Sequence, residues 1–264
     1  MSDGGAFDGA TWARFIREDD FDAAGAYVSA CLRAGGATAV REIADFYRTL
    51  GEDRGWVLLA DLNPTLGDRE ASISFYDDLY ADESVPSQHR GLAVAGLATL
   101  QAPGYEDKLV AELRAPSEER RVSALHALAR RGTEACVEPV TERVKVVLRR
   151  PAFDVRDNRY RGELLPAFVA VLRCAERQQL MRFAELLRMR QAYLSGVEFS
   201  WLRDLWPGCI DEPLHAPIPE PDMARVLAWT RGEVQVDLRG WVHEPEELRV
   251  RDPWDVDPPV VDRT

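Results

Sequence analysis

Apolar positions along this chain recur at helical spacing, and one helical phrase returns four times, each time opening with arginine. The four blocks read RGWVLLADLNP at 54–64, RGLAVAGLATL at 90–100, RVSALHALARR at 121–131 and RGELLPAFVAV at 161–171. With each arginine counted as the first place, the fourth and fifth places are always apolar: Val57 and Leu58, Ala93 and Val94, Ala124 and Leu125, Leu164 and Leu165. The seventh place is always small (Ala60, Gly96, Ala127, Ala167). The eighth is apolar in three blocks (Leu97, Leu128, Phe168) and holds Asp61 in the first. The openings lie roughly 30–40 residues apart, the length of a two-helix repeat unit.

Each block predicts a first helix followed by a second, over 70–80, 106–113, 133–148 and 178–194. Breaks fall at Asn63-Pro64, Pro86-Ser87, Pro103-Gly104, Pro116-Ser117 and Pro151. Pro166 falls near a helix start, where its missing N–H costs least. Upstream, Phe15, Ile16, Phe21, Ala24, Tyr27, Val28, Cys31 and Leu32 give a helical period from Trp12 that Gly35-Gly36 interrupts. Val40, Ile43, Ala44, Phe46, Tyr47 and Leu50 resume it. This pair reads as a terminal cap, and the Gly- and Asp-rich first ten residues read as frayed. The small seventh place lets one helix approach its neighbour closely, as stacked hairpins require.

On these blocks the chain resembles the HEAT-like and armadillo-like α-solenoids over roughly 54–194, or 12–194 with the first hairpin. The resemblance implies an all-α fold: a short right-handed α-solenoid of helical hairpins. The organisation expected is a cap at 1–51, repeats at 52–194 and a Trp- and Pro-rich acidic segment at 195–264. Members of such families mostly bind proteins; a minority bind nucleic acid or act as enzymes.

After Ser195 the pattern changes. Residues 195–264 hold nine of the 16 prolines and five of the 7 tryptophans: Trp201, Trp206, Trp229, Trp241 and Trp254. A helix is predicted over 222–230, opened by Pro221-Asp222. The alternating runs Val234, Val236, Leu238 and Leu248, Val250 predict a small hairpin. The rest reads as an irregular layer packing its tryptophans on the last repeat, with an exposed aromatic binding surface as the alternative.

Composition adds an uneven charge. The net charge is −12, but 1–87 carries 7 Arg against 17 Asp and Glu, 88–194 carries 19 basic against 13 acidic residues, and 195–264 carries 7 against 15. A basic centre lies between two acidic arms. No secretion signal or bilayer-spanning run is read from the sequence, so a cytoplasmic location is expected. The 4 cysteines (Cys31, Cys136, Cys174, Cys209) have no close pair, which argues against a zinc knuckle and makes free thiols the expectation.

Phosphate-cradling, dinucleotide and nucleophile-elbow motifs are absent. The histidines His89, His126, His215 and His243 lack a second ligand at metal spacing, and His126 reads as a packed or rim residue. Asp19-Asp20 with Asp22 reads as helix capping, Asp77-Asp78 with Asp82-Glu83 as a solvated helix end, and DPWDVDPP at 252–259 as lacking the pattern of a calcium loop. No metal and no cofactor is expected. The central arginines form one candidate binding set (Arg90, Arg121, Arg131, Arg161), unless they pair internally with acids of adjacent helices. WLRDLW places Trp201 and Trp206 about Asp204, residue types similar to those of HEAT-like DNA glycosylases, with Asp204 as the carboxylate. The first expectation is a non-enzymatic module, of inhibitor, immunity or scaffold type, binding a basic protein. The alternative is a glycosylase or other nucleic-acid binder using the Arg-rich face.

Overall fold

A computed structural model describes residues 6–149 and 161–233, together with the backbone of two short strands. Over these residues the protein is all-helical, with twelve α-helices and one two-residue antiparallel ladder. Two compact units divide the chain, Met1–Val144 and Lys145–Thr264.

The first unit opens with α1 (Gly9–Arg17), capped by the Asp8 carboxylate, which accepts from the Ala10 and Thr11 amides. Order thus begins ahead of Trp12, and Phe7 is buried with its amide donating to Glu42 Oε2 at 2.7 Å. α2 (Phe21–Tyr47) starts at the Asp20 cap and bends at Gly36, whose φ of 52° is the left-handed region that glycine tolerates. The double glycine therefore marks a kink, and the true break lies earlier, at 18–20.

The predicted pairs follow. α3 (Glu52–Asp61) precedes α4 (Arg69–Ala81), α5 (Ser87–Thr99) precedes α6 (Tyr105–Glu112), and α7 (Glu118–Arg131) precedes α8 (Val137–Val147). α3 packs on α5 and α5 on α7, so first helices of successive blocks touch. α4 packs on α5, and α6 on α7. The fifth place of these three blocks is buried: Leu58, Val94 and Leu125 are all 0% exposed. The seventh place works as expected at Gly96, where an added Cβ would lie 2.9 Å from the Tyr76 ring. In the first block Ala60 faces solvent instead, and Asp61 is half-buried.

In the second unit α9 (Leu164–Cys174) is buried along every position from Leu164 to Leu172. Pro166 stands in its first turn. α10 (Arg177–Arg190) sets Phe183 against Phe168 at 6.3 Å between ring centres. α11 (Gly196–Leu205) and α12 (Met223–Arg231) both pack on α9 and on each other. α12 is the helix expected over 222–230, and α11 is a second regular helix where an irregular layer was expected. α11 begins with a reciprocal cap in which Ser195 and Glu198 serve each other's backbone amides. The ladder pairs Gln235–Val236 with Val242–His243; residues 248–250, expected as the second strand, lie outside the described residues. Among the described residues no helix is long and apolar enough to cross a membrane.

Candidate functional site

The sequence sets its candidate residues in three places: the opening arginines, the WLRDLW stretch and the acidic clusters. The four opening arginines have different surroundings. Arg54 is exposed. Arg90 donates from Nε to the Tyr80 carbonyl at 3.0 Å and lies over the Tyr80 ring at 5.7 Å. Arg121 reaches back to the carbonyls of Ala115 and Pro116, both at 2.7 Å. Arg161 donates to Glu198 Oε1 from its Nε and its own amide, both at 2.8 Å. It also reaches the carbonyl of Tyr193 at 2.7 Å. Arg131, at the end of α7, has an exposed side chain.

A second buried carboxylate repeats that chemistry in the first unit. Glu112 is 2% exposed; it takes a two-pronged contact from Arg120 and a hydrogen bond from the Tyr80 hydroxyl at 2.8 Å. Burial and the Glu112 charge both push the Tyr80 hydroxyl up, to about 12. Glu198 is fully buried under Arg161. Such pairs are held by the cost of leaving either charge alone in a low-dielectric interior.

WLRDLW lies on α11 and its C-cap. Trp201 is 3% and Trp206 0% exposed, and the Trp206 indole donates to the Pro219 carbonyl at 2.8 Å. Both rings are packing elements, as is Trp229 on α12; Trp241 and Trp254 lie outside the described residues. Asp204 is half-buried 3.2 Å from Arg225 Nη2. Burial raises its carboxyl above the usual range, with the Arg225 charge opposing. Below it in sequence, Arg188 is 4% exposed, and its guanidinium donates to the carbonyls of Cys209, Leu214, Ala216 and Pro217.

The acidic clusters divide by role. Asp20 caps α2 and Asp77 pairs with Lys108. Asp78 and Asp82, at the end of α4, stand on the wall of an open cleft of about 370 Å³ whose other walls include Tyr47, Glu52, Phe75 and His89. His89 is 1% exposed on the first turn of α5. Its Nδ1 is 2.6 Å from the Tyr47 hydroxyl, and its Nε2 is closed off from solvent. Burial pushes the imidazole below its usual pKa, with the backbone and carboxylate of Glu52 opposing. Burial also pushes the Tyr47 hydroxyl up to about 12, helped by the Asp82 charge.

Sequence reading passed over this cleft, treating His89 as scattered and Asp78 with Asp82 as solvated. The three residues fall within one α4–α5 connection, the only local signal available; Tyr47 comes from far upstream. Among the described residues no group of three His, Cys, Asp or Glu side chains is arranged to hold a metal ion. The four cysteines are free thiols. Compared with known proteins, the chain matches no family model, no curated protein and no solved structure.

Proposed function

We propose that this chain is a non-enzymatic protein-binding module, of inhibitor, immunity or scaffold type, which engages a basic polypeptide through its acidic N-terminal half. In this reading the helix pairs from α3 to α8 form a short right-handed stack of HEAT-like hairpins in the cytoplasm. The contacts of α3 with α5 and of α5 with α7 support a stack.

One observation carries the reading: Arg120, Arg121 and Arg161 of the basic centre are engaged internally, while the N-terminal acids face solvent. Arg120 is held by Glu112, Arg161 by Glu198, and Arg121 by two carbonyls. Glu18, Asp19, Asp22, Asp45, Asp53, Glu70 and Glu83 are exposed. A polyanion site would need the reverse, with guanidinium groups open to phosphates. The glycosylase alternative draws no support from Trp201 and Trp206, whose faces are covered.

The test is capture from a lysate of the source cells, with the purified chain as bait, after nuclease treatment and at two salt concentrations. The reading expects one basic protein that survives nuclease and weakens at the higher salt, as solvent-exposed charge contacts do. It also expects that protein to bind the purified chain directly. Recovery of nucleic acid alone, lost in Arg131→Glu, overturns it.

A further inference from the structure

We propose that the outer face of α3 is a docking surface for an amphipathic basic helix, one of whose arginine or lysine side chains lies over the Trp56 ring. The proposal rests on the protein-binding reading and gives it an anchor residue.

Helical spacing sets Glu52, Asp53, Trp56 and Ala60 within about 100° of arc on α3, and all four face solvent. Trp56 is 43% exposed, while Leu58 on the far side of the helix is 0% exposed. The largest side chain of this amphipathic helix therefore stands on its outward face. Tryptophan is among the residues most enriched at the anchor points of protein interfaces.

One exposed tryptophan alone would be ordinary. The repeat pattern supplies the independent sign that this face lacks a neighbour. The small seventh place of each arginine-led block serves close helix packing, and three of the four are covered. Gly96 lies under the Tyr76 ring of α4, and Ala127 and Ala167 are 7% and 1% exposed. Ala60, the fourth, stands open one turn from Trp56. On α5 that place receives a helix, so α3 presents uncovered the surface on which its counterpart packs one.

Charge names the occupant. Glu52 and Asp53 lie one turn before Trp56, and Glu52 also shares the wall of the open cleft with Asp78 and Asp82. Carboxylates thus run from the α3 face to the end of α4. Arg54 falls on the opposite side of α3 by the same spacing. A basic side chain docked here gains cation–π attraction from the indole face and charge-assisted hydrogen bonds from the acids. Its alkyl stem covers apolar surface, and the small Ala60 leaves room for an apolar side chain one turn along the same helix.

The experiment is calorimetric titration of the full chain with a blocked Ala- and Leu-based helical peptide carrying arginine at i, i+4 spacing. The same peptide with glutamate for arginine and a short DNA duplex are titrated alongside. Indole N–H spectra of the ¹⁵N-labelled chain are recorded on the same samples, with Trp56→Phe assigning the Trp56 signal. Saturable binding of the arginine peptide alone, with a displaced Trp56 signal, supports the site. Trp56→Ala should weaken it at least about thirtyfold, the size of an interface anchor. Ala60→Arg, which fills the gap and reverses the local charge, is the second variant, should Trp56→Ala alter the thermal melt. No binding of the arginine peptide, binding untouched by both variants, equal binding of the glutamate peptide, or self-association of the chain that Trp56→Ala abolishes overturns the proposal. If a captured basic protein binds Trp56→Ala as tightly as the parent, the α3 face falls and the protein-binding reading stands. If the arginine peptide binds at Trp56 and no protein is captured, the reverse holds.

Discussion

In the unit Met1–Val144, the buried Glu112 is met by Arg120 and the Tyr80 hydroxyl, the Asp61 carboxylate by the Trp12 indole, and the His89 imidazole by the Tyr47 hydroxyl. In the unit Lys145–Thr264, the buried guanidinium of Arg188 is met by four carbonyls, and Glu198 is met by Arg161 and the Ser195 amide. The two units meet interior charge with different donors: aromatic hydroxyl and ring N–H groups beside one arginine in the first, guanidinium groups in the second. A closed polar cluster stabilises the fold and offers nothing to a ligand. The contrast that matters for function is with the exposed acids of the first unit, among them Asp78 and Asp82. Removal of a buried, paired charge is expected to be read in folding, and removal of these exposed carboxylates in binding.

The largest expected effect is at Glu198. Changing Glu198→Ala strands the Arg161 guanidinium and should cost about 3–5 kcal/mol in urea unfolding. A cost below that of an ordinary surface change would break the comparison. Arg188→Met keeps the stem and removes the donors, leaving four carbonyls unsatisfied, and should cost about 1–3 kcal/mol. The same assay on Asp78→Asn should stay within about 0.5 kcal/mol of the parent.

A pH test sharpens the first unit's side. Burial first, and the Arg130 charge second, hold His126 down at about 4. Its folded pKa lies below the unfolded value of 6.5. Its contribution to stability is therefore complete above pH 6.5 and lost as pH falls towards 4, where only the unfolded chain takes the proton. The stability-versus-pH curves of the parent and His126→Gln should separate in that window and run parallel above it. The smallest effect is at Arg131→Glu, which should leave the unfolding midpoint in place because the side chain is exposed.

Much of the helix layout was legible because spacing and capping are local. The arginine-led blocks, the Asp222 cap and the position of Pro166 all lie where the sequence puts them. Gly36 was legible as an interruption, though its kink joins one helix instead of ending it. The regular α11 was missed because tryptophan and proline content masked a short amphipathic run that starts at Ser195. The roles of the charges were not legible, since an arginine at a helix start reads the same whether it meets Glu198 or water. The cleft was hidden for the same reason: Tyr47 and His89 meet only once α2 and α5 are packed.

The central claim is that the exposed carboxylates of the N-terminal half, and not the central arginines, form the binding face of this chain. Fluorescence anisotropy at low salt, with a labelled blocked Arg-containing peptide in one series and a labelled DNA duplex in another, tests it most directly. The account predicts saturable peptide binding that weakens at least about tenfold in Asp78→Asn with Asp82→Asn, and no duplex binding. Duplex binding that Arg131→Glu abolishes, with no response from the peptide, would contradict it.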